Sequence, residues 1–110
     1  MELIPELFPG VTGFEWDAGN SEKSRHRHGV TWTEAEQVFL NRPLLVVDSP
    51  AHSAAEVRYF ALGRTDLDRP LAIAFTLRGS LLRVISARPM SRRERRFYAQ
   101  AQAAETDPAL

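Results

Sequence analysis

The chain has 110 residues, of which 44% are hydrophobic, 25% are charged and none is cysteine. This length suits one domain with a single core, and the composition excludes a disordered or collagen-like chain. The lack of cysteine excludes disulfides, thiolate nucleophiles and cysteine-based zinc sites, and it favours a reducing compartment such as the cytoplasm. Because no apolar run approaches membrane-spanning length and no signal-peptide pattern is present, we expect a protein that is neither membrane-embedded nor secreted.

Basic residues are concentrated late in the chain, although the formal net charge is zero. From Arg78 to Arg96 there are seven arginines against one acid, Glu94, and Lys23 is the only lysine of the chain. Guanidinium groups suit bidentate phosphate contacts and stacking on bases, so this pattern predicts a surface for a polyanion such as RNA. A GC-rich genome, which favours arginine codons, explains the arginine-to-lysine ratio equally well.

The chain shows no internal repeat and no linker that would divide it, so we expect a single domain over residues 13–104. Residues 1–12, which include Pro5 and Pro9, predict an irregular arm, and residues 105–110 predict a frayed tail. We expect neither end to carry the chemistry.

The first part of the domain predicts one short strand and two helices. Phe14 to Trp16 alternates like a strand, and Asp17 is a suitable N-cap for a polar helix that ends at Gly29. Thr31 to Glu34 matches a capping box at the start of the next helix. Four residues of that helix share one face and are predicted to be core: Trp32, Ala35, Val38 and Phe39.

The middle of the domain predicts a sheet. Pro43 ends the second helix, and four apolar runs follow it, at Leu44–Val47, Val57–Leu62, Leu71–Leu77 and Leu81–Ala87. Arg78 to Ser80 predicts a tight hairpin, and Asp66 to Pro70 a looser turn. Because short connections favour antiparallel neighbours, we expect an α+β fold, with a twisted antiparallel sheet of about four strands and packed helices.

A last helix is predicted to begin at a second capping box, Ser91 to Glu94, and to run to about Ala104. Its first turn is rich in arginine, which the helix dipole disfavours by a few tenths of a kcal/mol per residue. A bound phosphate at the helix N-terminus would compensate for this repulsion. A solvated basic turn without a ligand is the alternative, and the sequence favours neither.

The order of motifs resembles the BrnT family over roughly residues 14 to 98. The motifs that carry the resemblance are Phe14-Glu15-Trp16-Asp17, Arg27-His28-Gly29-Val30, Glu56-Val57-Arg58 ahead of Gly63-Arg64, and Ile85-Ser86-Ala87-Arg88 with Arg92-Arg93-Glu94-Arg95. The resemblance implies a RelE-like ribonuclease that needs no metal or cofactor, the toxin of a type II toxin–antitoxin pair. It also implies a BrnA-like antitoxin with a ribbon-helix-helix DNA-binding region, and a dimer or a hetero-oligomer with that antitoxin.

The chain departs from the family pattern Asn-x-x-Lys-His-Gly, since it has Ser24 and Arg27 at the first and fourth positions. Arg27 keeps the positive charge of lysine but stays protonated. It can therefore hold a phosphate, but it is a poor general base.

Metal-free RNA cleavage needs a base for the 2′-hydroxyl, cations for the pentacoordinate phosphorane and an acid for the leaving 5′-oxygen. On the resemblance, His28 or Glu56 is the base or proton shuttle. The phosphate contacts are assigned to Arg58, Arg83 and Arg88, and additional RNA binding to Arg27, Arg64 and Arg92.

Several of these residues also have structural interpretations. His28 precedes a helix-ending glycine and could cap carbonyl groups, while Glu56 and Arg58 could form an ion pair at the start of a strand. Arg83 lies between apolar neighbours, which favours a functional site or a buried ion pair over a solvated charge. Tyr98 and Trp32 could stack on bases, but their helical spacing favours the core.

Other classes of enzyme lack their motifs in this chain. The three histidines form no zinc-type set with cysteine, and no Gly-x-Ser-x-Gly, phosphate-loop or dinucleotide fingerprint is present. The main alternative to a ribonuclease is a non-catalytic module whose arginines bind nucleic acid or an acidic antitoxin. RNA turnover distinguishes the two, whereas salt dependence of binding does not.

Overall fold

The structure is a computed structural model that describes residue 4 and residues 7–48 and 57–106. The elements in chain order are β1 (Gly13–Glu15), α1 (Ala18–His28), α2 (Trp32–Leu40), β2 (Leu45–Asp48), β3 (Tyr59–Arg64), β4 (Pro70–Arg78), β5 (Leu81–Pro89) and α3 (Arg92–Thr106). The predicted α+β class is therefore confirmed. Within the described residues, no helix is long and apolar enough to cross a lipid bilayer.

In the part of the chain that the structure describes, the sheet has five strands in the order β1-β5-β4-β3-β2. The last four strands of the chain pair antiparallel, but β1 lies parallel to β5, with Glu15 opposite Arg83. The prediction of about four strands, all antiparallel, was therefore wrong in strand number and in one pairing. The rule about short connections does not cover β1 and β5, because most of the chain separates them and serves as the crossover that a parallel pair needs.

Local capping interactions set the helix boundaries as predicted. At the start of α1, the Asp17 carboxylate accepts a hydrogen bond from the backbone amide of Asn20 at 3.0 Å. At its end, the chain turns at Gly29, whose φ is +65°. The predicted capping boxes at Thr31 and Glu34 and at Ser91 and Glu94 are both present.

The main core lies between the sheet and helix α2. Ala35, Val38 and Phe39 are buried there as predicted, and the Phe39 ring packs edge-on against Phe75 with centroids 5.0 Å apart. Trp32 was wrongly assigned to the core, because it is 49% exposed. It opens α2 at the rim, where its ring lies 6.3 Å from that of Trp16. Two described residues of the N-terminal segment, Ile4 and Val11, are fully buried in this core.

The opposite side of the sheet is partly covered by α3. Tyr98 is 2% exposed and donates a hydrogen bond of 2.6 Å to the Pro43 carbonyl, so its predicted core role is confirmed. Residues alternate between the two sides of each strand, so this side also carries Phe60, Thr76, Arg83 and Arg88. We call it the arginine face.

Candidate functional site

On the arginine face, only strand β4 lies between Arg83 and the segment that contains Arg58. Thr76 of β4 is the register partner of Arg83 on β5. The Thr76 hydroxyl donates a hydrogen bond of 2.7 Å to the carbonyl of Val57, the residue before Arg58. The backbones of β3 and β5 are then roughly 10 Å apart, a span that two arginine side chains can share.

Arg58 has a buried donor without a partner. Its Nε atom is inaccessible to solvent and makes no hydrogen bond to any residue that the structure describes. A buried N–H without an acceptor is unfavourable by about 1–3 kcal/mol, so an acceptor supplied by a ligand would be favoured here. Glu56, the other half of that predicted motif, lies outside the described residues.

Two carboxylates hold Arg83. Its Nη1 atom lies 3.0 Å from Glu15, its Nη2 atom lies 2.9 Å from Asp17, and its side chain is only 18% exposed. Burial opposes the charge, but the hydrogen bonds to Asp17 and Glu15 outweigh it and raise the pKa of Arg83. Arg78 shares Glu15 at 3.1 Å. The ion pair that was one interpretation of Arg83 is therefore present, but it is only partly buried, since the side chains of Glu15 and Asp17 are 32% and 57% exposed.

Asn20 fixes the backbone that carries Glu15 and Asp17, the two acids that hold Arg83. Asn20 is 6% exposed, and its side-chain amide donates to the backbone carbonyls of Glu15 at 3.1 Å and Val84 at 3.0 Å. The amide oxygen of Asn20 accepts from the Asp17 backbone at 2.7 Å. Backbone hydrogen bonding from Asn20, followed by the Arg83 guanidinium, lowers the pKa of Asp17. Asn20 was not predicted as a site residue, although its spacing from Asp17 is the spacing of a reciprocal helix cap.

Arg88 lies at the other end of the arginine face. It forms a two-armed ion pair with Glu94, at 2.8 and 3.0 Å, and its guanidinium carbon lies 5.4 Å from the centre of the Phe60 ring. The hydrogen bond from Arg88 is the main reason that the pKa of Glu94 falls from 4.5 to about 2.

The predicted phosphate-binding arginines therefore form two groups. The register partners of Arg83 and Arg88 on β4, Thr76 and Ala72, are four residues apart. This spacing is about 13 Å along a strand, and the two guanidiniums are held by different carboxylates, Arg83 by Glu15 and Asp17 and Arg88 by Glu94.

Arg27 and His28 lie nearer to the Arg88 end of the sheet. Helix α1 starts beside Val84, to which Asn20 is bonded, and it ends where the Gly29 carbonyl accepts a hydrogen bond of 3.1 Å from Arg69. Arg69 belongs to the turn between β3 and β4, which adjoins the end of β5. The side chains of Arg27 and His28 are both exposed.

Arg64 and Arg92 extend the basic surface at the same end. Arg64 donates a hydrogen bond of 3.0 Å to the Arg42 carbonyl and lines a cleft of about 200 Å³ with Arg95 and Tyr98. Arg92 is exposed in the first turn of α3.

The helix terminus itself is already capped. Ser91 accepts from the Glu94 amide at 3.2 Å, and the Glu94 carboxylate accepts from the Ser91 amide at 2.8 Å. The Glu94 carboxylate therefore offsets part of the repulsion between the helix dipole and the arginines of this turn. A bound phosphate and a solvated turn were the two interpretations of these arginines from the sequence.

Among the residues that the structure describes, no group of three or more histidine, aspartate or glutamate side chains could hold a metal ion.

Comparison with known proteins gives a family and a fold. The family model for the ribonuclease toxin BrnT of type II toxin–antitoxin systems matches residues 16–94. The 1.1 Å crystal structure of the Brucella abortus ribonuclease toxin BrnT superposes with a TM-score of 0.53 and 23% sequence identity, over 74% of this chain and 99% of that one. At this identity the superposition shows a shared fold. No curated protein matches the chain.

Proposed function

Since the chain belongs to the BrnT family of ribonuclease toxins of type II toxin–antitoxin systems, we propose that it is a cytoplasmic endoribonuclease that arrests growth by cleaving RNA without a metal ion. RNA binds on the arginine face and on the basic surface at its Arg88 end. The reaction uses side chains of the chain alone, as the family resemblance implies.

The observation that carries this proposal is the Nε atom of Arg58, which has no hydrogen-bond partner among the described residues. Arg83 and Arg88 are held by carboxylates, whereas this donor of Arg58 has no acceptor there. Because the donor is closed to solvent, the Arg58 side chain has to turn outward to meet a phosphate oxygen. A phosphate oxygen is the acceptor best suited to a guanidinium. Arg58 is therefore the primary phosphate ligand, and Arg83 adds a fixed positive charge in the same row.

In the proposed reaction the 2′-oxygen attacks the adjacent phosphorus and the bond from phosphorus to the 5′-oxygen breaks. The base takes the proton of the 2′-hydroxyl, and a proton is delivered to the leaving 5′-oxygen. Two bases are candidates. Glu56 is two residues from Arg58 in the sequence and would serve a phosphate held by Arg58 and Arg83. His28 would serve a phosphate held at the Arg88 end.

Induced expression tests the proposal. The wild-type chain is expected to arrest growth, and the purified protein to cut total RNA in EDTA, leaving 2′,3′-cyclic phosphate ends. Both effects should disappear in Arg58→Gln if the phosphate is held by Arg58 and Arg83, and in Arg88→Ala if it is held at the Arg88 end. The separate variants His28→Ala and Glu56→Ala identify the base, since only one of them should lose cleavage. Undiminished cleavage by a folded double variant, His28→Ala with Glu56→Ala, would overturn the assignment of the base to either residue.

We propose further that a BrnA-like ribbon-helix-helix antitoxin covers the arginine face, and that the hetero-oligomer represses its own promoter. The partner is expected to present carboxylates, because the surface that it covers is basic at the Arg88 end. Co-expression of the antitoxin should restore growth and protect Arg92 and His28 from chemical modification.

A non-catalytic module is the second candidate. The ion pairs of Arg83 and Arg88 favour it, since guanidiniums already neutralised by carboxylates stabilise a phosphorane less. Folded protein that binds RNA but neither cleaves it nor arrests growth would establish this alternative.

A further inference from the structure

The outer side of α3 carries a compact basic and aromatic surface, of which only Arg92 belongs to the RNA-binding residues assigned above. It consists of Arg92, Arg93, Arg96 and Phe97, and we call it the α3 ridge. All four side chains are exposed, Phe97 by 60%. Helical residues three or four positions apart are neighbours, so Arg93 lies beside both Arg96 and Phe97.

No carboxylate of the described residues neutralises the charge of the α3 ridge. The three arginines make no ion pair with any residue that the structure describes, and the acid of this turn, Glu94, is engaged by Arg88. The helix dipole adds positive potential at the same end. The backbone amide of Glu94 is already bonded to Ser91, so an anion here would be held mainly by side chains.

We propose that the α3 ridge is a second RNA-binding surface that holds single-stranded RNA flanking the cleavage site, with the arginines on the phosphates and Phe97 stacked on a base. Exposed arginines around an exposed aromatic ring combine the two contacts that single-stranded RNA offers, phosphate charge and a base face. An acidic protein segment would use the arginines but would have no base to stack on Phe97. The choice of RNA as ligand rests on the proposed function.

Continuity with the cleavage site supports this assignment. Glu94 joins α3 to Arg88 on the arginine face, one residue from Arg93 and two from Arg96. An RNA strand that leaves the Arg88 end of the arginine face therefore meets the α3 ridge next. Arg96 and Phe97 lie beyond the residues matched by the family model, which end at Glu94.

The test is binding of a fluorescent 20-nucleotide 2′-O-methyl oligouridylate, which has no free 2′-hydroxyl and cannot be cleaved. Arg93→Gln/Arg96→Gln should reduce the slope of log affinity against log salt by about 1–1.5, because about 0.7 counterions are released per neutralised phosphate of a single strand. Phe97→Leu keeps an apolar side chain and should weaken binding about tenfold through loss of stacking. Arg25→Gln, at an exposed helical arginine outside the α3 ridge, should change neither the salt slope nor the affinity by as much.

Several outcomes would overturn the inference. An unchanged salt slope in the double arginine variant is one, and unchanged affinity in Phe97→Leu is another. Equal displacement of RNA by polyglutamate of the same charge, insensitive to Phe97→Leu, would instead identify an acidic protein partner. Cleavage of unmodified RNA by the wild type is measured separately. If binding follows the prediction without cleavage, the proposed function fails and the α3 ridge stands.

Discussion

Arg88 and Glu94 form a parallel pair of hydrogen bonds, Nη1 to Oε1 at 2.8 Å and Nη2 to Oε2 at 3.0 Å. The same carboxylate caps α3 through Ser91. One acidic side chain thus orients an arginine of the proposed site and sets the start of the helix that carries the α3 ridge.

Glu94→Gln isolates the ion pair, since glutamine can still complete the capping box. We expect a loss of about 1–2 kcal/mol in the free energy of unfolding at pH 7, reduced from a buried pair because Arg88 is partly exposed. Urea unfolding of both proteins at pH 7 measures this loss.

The same pair predicts a pH dependence. The pKa of Glu94 is about 2 in the folded chain and ordinarily 4.5, so its contribution is complete above pH 4.5 and is lost as the pH falls towards 2. The difference between wild type and Glu94→Gln should therefore shrink across this window. A difference that stays constant from pH 7 to pH 3, or no difference at pH 7, would refute the role of the pair.

Asn20→Ala should destabilise the fold strongly. It removes the donor for the Val84 carbonyl and the acceptor for the Asp17 amide, and an unsatisfied buried carbonyl alone is unfavourable by about 1–3 kcal/mol. We expect a total of about 2–4 kcal/mol and a fall in Tm of at least 8 °C, at roughly 4–8 °C per kcal/mol. The exposed Gln100→Ala is the control and should leave Tm unchanged. A Tm equal to that of the control would show that Asn20 does not tie α1 to the sheet.

Features that depend on neighbouring residues could be predicted from the sequence, and those that depend on distant ones could not. Both capping boxes and the end of α1 at Gly29 were predicted, because each involves residues three positions apart or a single backbone angle. The partners of Arg83 are 66 and 68 residues away, and only the parallel pairing of β1 with β5 brings them together. The basic cluster therefore looked uncompensated in the sequence, although carboxylates from the first strand and helix neutralise part of it.

Trp32 shows a further limit. Helical spacing put it on the same side as Ala35, but spacing does not indicate where the covering layer stops. Trp32 is the first residue of α2 and is 49% exposed, and its ring lies 6.3 Å from that of Trp16.

Gly63 marks the closest approach of α2 to the sheet. A Cβ atom there would lie 2.5 Å from Val38 Cγ1 and 3.3 Å from the Val38 carbonyl oxygen, so Gly63→Ala should destabilise the chain by about 1–3 kcal/mol. Adding Val38→Ala removes the nearer atom, and the double variant should lose less than the sum of the single losses. Gly13→Ala is the matched control, because its Cβ would meet only the end of the Leu81 side chain, at 3.2 Å. Equal stability of Gly63→Ala and Gly13→Ala would contradict the close contact.

The most direct test of the central claim is the rate of RNA cleavage in EDTA by purified wild type, Arg58→Gln and the control Arg25→Gln. Arg58→Gln keeps a hydrogen-bond donor but loses the charge that should bind the phosphorane, so we expect its rate to fall by about 100-fold or more. The control should match the wild type. Equal rates in all three folded proteins would contradict a phosphate site at Arg58, and a wild type that cleaves RNA only after Mg²⁺ is supplied would contradict metal-independent cleavage.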